Sequence, residues 1–183
     1  MKNVARIAPA RPPFAAELQS SLDRVTAPGR PPLQLFTTLA RDPRLFGRFF
    51  AAGLLDRGHL TLRERELVVD RTTARNGSEY EWGVHVAIFG ARVGLDETQR
   101  RSLVHGDAAD PCWSVDDRLL IEFADAAHER CDLDDALWSR LRRRFSEEAV
   151  LELMLLAGFY RTVSLLTNAL RLPLEADAAR FPS

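Results

Sequence analysis

Apolar positions recur at helical spacing along nearly the whole chain, and no stretch shows the sustained apolar/polar alternation, rich in β-branched residues, of a half-buried strand. The pattern predicts an all-α fold. After a proline-rich arm, residues 1–13, the positions Phe14, Leu18, Leu22 and Val25 mark one helix face, which the cluster Pro28 to Pro32 ends. Leu33 to Ala40 predicts a short helix. Asp42 as N-cap, with Pro43 in the first turn, opens another that runs to about Asp56 and closes at Gly58. Thr61 and Glu64 have capping-box spacing at the head of a helix reaching about Arg75, where Asn76-Gly77 supplies a left-handed stop.

Further helices are predicted over Ser78 to Val93, Asp96 to Val104, Ser114 to about Arg130, Asp132 or Asp134 to Phe145, and Ser146 to about Leu170. His105 to Trp113 reads as a polar loop and the tail 173–183 as peripheral. No fixed-period repeat or low-complexity linker divides the chain. The expectation is one domain, 1–183, a bundle of about eight helices.

Composition narrows the function. With 46% hydrophobic and 28% charged residues, 183 residues are enough to bury a core, which excludes disordered, collagenous and disulfide-stapled classes. Cations number 25 against 26 anions, so no global field favours nucleic acid or an anionic membrane as partner. Lys2 is the only lysine; this arginine bias is read as coding bias, and the Arg140 to Arg144 run as a solvated face. Cys112 and Cys131 form neither a CxxC nor a zinc-ligand spacing, which points to a reducing, cytoplasmic setting. Met1 to Ala10 lacks the apolar core of a signal peptide. The longest apolar stretch, Val150 to Leu172, is broken by Glu152, Arg161 and Asn168, and so predicts a buried helix, not a bilayer span.

The helix from Ser78 carries the candidate chemistry. Beyond Glu81 it is apolar nearly all round, which predicts burial inside the domain or between subunits. Ser78, Glu81 and His85 lie at i, i+3 and i+7, on one stripe. The turn at Asn76-Gly77 folds this helix back on the preceding one and sets Glu66 opposite that stripe. Ionisable groups on an apolar helix are costly to bury unpaired, so these three predict one another as partners. Purely structural readings stand beside this one. Ser78 and Glu81 have capping-box spacing, and His85 has the environment of a hydrogen-bonded core histidine. Glu66, Glu81 and His85 have the types of a metal site but lack a second histidine, so neither metal nor cofactor is predicted. Arg161, in the apolar last helix, needs a carboxylate such as Glu66, a subunit neighbour or a substrate. Tyr80 and Trp82 flank the stripe. His59, His105 and His128 carry no predicted role.

The segments "ELVVDRTTARNGSEYEWGVHV" from Glu66 and "ELMLLAGFYRTVSLLTNALRLPLE" near the end, with the arm "RIAP…PLQLFTTLARDPRLFGRF", resemble the carboxymuconolactone decarboxylase family, whose other branch is the alkylhydroperoxidase D type. In the peroxidase branch a glutamate is followed by a CxxC and a histidine. Here Glu66 stands at the glutamate position, Ser78 and Glu81 at the two cysteine positions, and His85 at the histidine. Serine neither ionises near neutrality nor forms a sulfenic acid, so the resemblance disfavours an alkylhydroperoxidase-like antioxidant role by the usual route. A relocated pair, Cys112 and Cys131, lies outside the motif.

The resemblance implies instead a cofactor-free enzyme that decarboxylates or isomerises a small organic acid or lactone. His85 is the expected acid/base group, Glu81 its orienting partner and Glu66 a second proton-transfer group. Ser78, Tyr80, Trp82 and Arg161 are expected to bind the substrate. A non-catalytic binding or scaffold protein is the remaining alternative. The two long apolar helices and the resemblance both imply a homo-oligomer, with dimer, trimer and hexamer open.

Overall fold

The computed structural model describes residues 5–26 and 28–183; the first four residues of the predicted arm lie outside them. Local signals fix most helix starts. Asp42 accepts from the amides of Arg44 and Leu45 at the head of α3 (Pro43–Ala52), following α1 (Ala16–Val25) and α2 (Gln34–Leu39). Thr61 and Glu64 form a reciprocal capping box on α4 (Leu62–Arg75). Asp96 caps α6 (Glu97–His105), Ser114 caps α7 (Val115–Arg130), Asp134 caps α8 (Asp135–Arg144) and Ser146 caps α9 (Glu147–Leu170). Among the described residues all the regular secondary structure is helical, as the periodicity predicts. Helix α3 ends at Ala52, short of Asp56, because Gly53 turns extended.

One expectation needs correction at the Ser78 helix. The α-helical part, α5 (Glu79–His85), gives way to a π-helical turn over Val86–Gly90 instead of continuing to Val93. Apolar periodicity does not distinguish a regular turn from this wider one. Within one chain Trp82, Val84 and Val86 are in the core while Ile88 is 45% exposed, which leaves burial of that face to a subunit contact.

The centre of the bundle is α4, packed by α7, α9, α5 and α6. Every residue from Arg65 to Thr73 is buried, although four of them carry ionisable side chains. Burial of such charges demands partners. Arg71 finds a bidentate one in Asp125, at 2.7 and 2.8 Å, and also donates to the carbonyls of Ser102, Leu103 and Gly106. A smaller core of Leu22, Ala40 and Phe46 joins the first three helices. By length and composition α9 is apolar enough to cross a membrane. Here it buries one face, including Leu153, Leu156, Tyr160 and Val163, and exposes Leu151, Leu155 and Leu165 on the other.

The tail is less peripheral than predicted, since residues 173–183 strap the outside of α5. Glu175 accepts from the Tyr80 hydroxyl and the Gln34 amide, Ala179 N donates to Gly83 O at 3.0 Å, and Phe181 packs on Trp82. Gly83 permits this approach, because a Cβ there would run into the Ala179 carbonyl oxygen. Gly83→Ala is therefore expected to cost about 1–3 kcal/mol by overpacking. Faster tryptic cleavage after Arg180 in that variant checks it.

Candidate functional site

The turn between α4 and α5 builds the site. Gly77, at φ +64°, adopts the left-handed conformation that reverses the chain, and Ser78 N donates to Thr73 O. The two helices then lie side by side, and Glu66 and His85 meet across them. His85 Nδ1 is 2.7 Å from Glu66 Oε2, and its Nε2 is 3.4 Å from Glu81 Oε1. The imidazole is thus held between two carboxylates, as the stripe and the hairpin predict.

Glu66 is fully buried and accepts two contacts from Arg65, Nε at 2.9 Å and Nη2 at 2.8 Å, while Arg65 Nη1 donates to Leu55 O. Tyr160 of α9 stands edge-to-face with the imidazole, ring centroids 5.0 Å apart, and Phe89 of the π-helical turn, beneath the Arg65 guanidinium, has its centroid 5.5 Å away. One oxygen of Glu81, Oε2, is buried with no hydrogen-bond partner.

The electrostatics follow. Burial alone would lower the pKa of His85, but the hydrogen bonds and charges of Glu66 and Glu81 outweigh it and push it up to about 10. At neutral pH His85 is an imidazolium between two acids. One helical turn beyond Glu66 sits Asp70, 1% exposed, with Oδ1 unpartnered. Burial raises its pKa well above the carboxylate range; the Glu66 charge adds to this, and His85 and Arg100 oppose it.

The other predicted site residues are placed elsewhere. Ser78 is fully buried, its Oγ 2.8 Å from Thr167 Oγ1 and accepting from Glu81 N, so it is a helix cap with no surface for a substrate. The cap is one-sided, because the Glu81 side chain turns to His85 instead of reaching back. Tyr80 points towards Glu175 and the Leu35 amide, and Trp82 packs on Phe181; both face the tail. Arg161 is exposed and donates to His128 O, so the arginine that serves Glu66 is Arg65. Both ring nitrogens of His85 already face carboxylates, and no trio among the described residues is placed to hold a metal ion.

Arg65, Asp70, Phe89 and Tyr160 escape the sequence reading. Arg65 adjoins Glu66 in sequence, which would have been the cue, but neighbouring helical residues point about 100° apart and only its length brings the guanidinium back. Tyr160 arrives from a remote helix. Three grooves of about 570, 650 and 520 Å3 lie elsewhere, lined by none of Glu66, Glu81 and His85. In the isolated chain His85 and Glu81 keep only 4% and 7% of their surface open.

Cys112 and Cys131 are free and flank α7. The helix between them is about 24 Å long at 1.5 Å rise per residue, and the three-residue link from Cys112 to its start can take back at most about 10 Å, which leaves the thiols well beyond the roughly 7 Å limit of a disulfide. They cannot act as a relocated dithiol pair within one chain.

Residues 43–116, which include Glu66, Glu81 and His85, match the model of the carboxymuconolactone decarboxylase family. No curated protein matches the chain significantly in sequence. Among solved structures, an uncharacterized peroxidase-related protein from Silicibacter sp. TM1040 superposes with a TM-score of 0.81 at 17% identity, over 100% of this chain and 97% of that one. An uncharacterized peroxidase-related protein with an alkylhydroperoxidase AhpD core, from Ralstonia eutropha JMP134, gives 0.74 at 21% identity, over 95% of each chain. The debrominase Bmp8, in a variant complexed with 2,3,4-tribromopyrrole, gives 0.76 at 15% identity, over 97% of this chain and 95% of that one. At these identities the likeness is one of fold.

Proposed function

We propose that the chain is an enzyme of the carboxymuconolactone decarboxylase family, whose model residues 43–116 match, with the fold of the peroxidase-related structures, and that it moves protons on a small organic acid or lactone, by decarboxylation or isomerisation, without a bound cofactor. The observation that carries this reading is the Glu66–His85–Glu81 cluster with its one unpartnered oxygen. Glu66, sealed and bonded to Arg65, orients and charges His85. Glu81, nearer the surface, is the group with an oxygen to spare. The geometry favours exchanging the roles that the motif alone suggests for the two glutamates.

In isomerisation, Glu81 Oε2 takes a proton from a carbon next to a carbonyl and returns it elsewhere on the same molecule. In decarboxylation, the electron pair of the broken C–C bond enters the adjacent carbonyl as an enolate, which the charge of the His85 imidazolium stabilises; the proton that quenches it passes from His85 Nε2 to Glu81 Oε1 while Glu81 Oε2 delivers one to carbon. Entry needs a side-chain shift, and half-buried Phe89 is placed to give it. A dithiol peroxidase cycle is disfavoured by the serine and glutamate at the motif and by the separation of the two cysteines. The exposed leucines of α9 suit burial in a homo-oligomer, which sedimentation would measure.

A panel of small β-keto acids and carboxylated lactones, followed by carbon dioxide release and by deuterium uptake from solvent, tests the reading. Wild-type protein is expected to turn over one class, with a loss of about 10²-fold or more in both Glu81→Gln and His85→Gln. An inert wild type, or a Glu81→Gln variant with an unchanged rate, overturns it.

A further inference from the structure

Helix α9 leaves one stripe of side chains open along its length. Leu151, Met154, Gly158, Arg161, Leu165 and Asn168 are all exposed, and their spacing alternates three and four residues, the period that packs two helices side by side at a shallow angle. Leu151, Leu155 and Leu165 are 61, 64 and 67% exposed, and Trp138, which shares a groove with Met154 and Gly158, is 42% exposed. With Met154 these side chains leave on the order of 500 Å2 of apolar surface open per copy, so two copies would bury about 1,000 Å2, the threshold of a specific interface.

The stripe is complementary to itself. Gly158 stands at its middle, with Leu151 seven residues before it and Leu165 seven after. Reversing a second copy about a two-fold axis at Gly158 sets Leu151 against the partner's Leu165, Met154 against the partner's Thr162, and Leu155 against the apolar stem of the partner's Arg161. A Cβ at Gly158 would meet nothing within 4 Å, so the two backbones have room to approach to about 8 Å at the crossing.

Charge points the same way. Arg161 donates to the His128 carbonyl and pairs with no carboxylate among the described residues, while Asp132 and Asp135, exposed on the same groove, pair with no cation there. That groove of about 570 Å3 and its neighbour of about 520 Å3 run along one edge of the stripe, and Asn76, Gly158 and Arg161 border both. An axis that reverses the helix keeps each edge on its own side. The arginine of one copy thus comes to the aspartates of the other, and the grooves take in the facing side chains.

We propose that this face of α9 is the contact of a two-fold homodimer, in which two antiparallel α9 helices cross at Gly158 and Arg161 pairs with the partner's Asp132 and Asp135. It rests on the homo-oligomer part of the reading above and not on the proton-transfer chemistry, and none of its readouts uses turnover.

Sedimentation of the full chain is expected to show a dimer, or a larger assembly of even copy number. Leu165→Glu, at an exposed position where the fold is indifferent to it, enters the contact twice and should weaken association about 10²-fold or more. Arg161→Glu should weaken it about tenfold, and adding Asp132→Arg and Asp135→Arg should restore it. In a Cys112→Ser, Cys131→Ser background, Gly158→Cys is expected to link copies by a disulfide in air. Leu151→Cys should link only when Leu165→Cys is also present, because like residues stand about 20 Å apart across the axis. A monomer, whether free or bound to phosphatidylcholine vesicles, overturns the proposal, as does a trimer. So do association indifferent to Leu165→Glu, a charge reversal that restores nothing, a Gly158→Cys chain that stays unlinked, or a Leu151→Cys chain that links to itself.

Discussion

Glu66→Leu is expected to be the most destabilising single substitution in the candidate site, costing about 3–5 kcal/mol in urea unfolding. Glu66 is the carboxylate between Arg65 and His85, within 2.9 Å of both, and none of its surface is exposed. Leucine leaves the Arg65 guanidinium, whose side chain is 10% exposed, with the Leu55 carbonyl as its remaining hydrogen-bond partner. It also removes the closer of the two carboxylates that hold His85 charged, so the imidazole pKa falls as burial takes over. The ring-proton titration of His85 is expected to move down with it. Glu81→Gln gives the contrast, because it weakens a single contact at 3.4 Å and is expected to cost only about 1 kcal/mol. Arg65→Met combined with Glu66→Leu should lose less than the sum of the two single losses, since the second change removes the charge that the first strands. Equal stability of Glu66→Leu and Glu81→Gln would contradict this account.

The pairing of Glu66 with His85 was legible because both determinants are local. Periodicity puts Glu81 and His85 on one stripe, and a glycine stop folds that stripe onto the preceding helix. Helix starts were legible for the same reason, since a cap such as Asp42 or Ser146 acts within three residues of itself. The residues expected to bind substrate are set apart from the cluster where adjacency in sequence stood in for adjacency in space. Tyr80 and Trp82 neighbour Glu81 in the chain, yet a rotation of about 100° per residue turns them to the tail. The charged character of α4 hid its central position, because hydropathy cannot anticipate that Arg71 meets Asp125, 54 residues away, or that Arg65 doubles back on its neighbour. Arg161 is the opposite case. An arginine in an apolar helix predicts a carboxylate partner, and of those named Glu66 is ruled out, because α9 leaves one face open and the side chain stands on it.

Stability is expected to fall as pH rises from about 6.5 to about 10, with His85 as the cause. The pKa of His85 is raised in the folded chain from 6.5 to about 10, so the native state binds a proton that the unfolded chain has already released. Below pH 6.5 both states hold the proton and the full benefit of the Glu66–His85–Glu81 cluster is present. Between the two values the unfolded chain loses its proton first, and stability drains away until the native imidazolium also titrates. His85→Gln should flatten this limb of the profile, which urea midpoints taken at intervals across it would show. Asp70 acts with the same sign at lower pH, because burial keeps its proton in the native state while the unfolded carboxyl loses it from pH 3.8 upwards. Asp70→Asn keeps a neutral polar group in place and is expected to raise stability at pH 7 while leaving the alkaline limb intact. A His85→Gln profile as steep as wild type between pH 6.5 and 10 would show that the imidazole is neutral when buried, and would remove the imidazolium on which the proton-transfer chemistry depends.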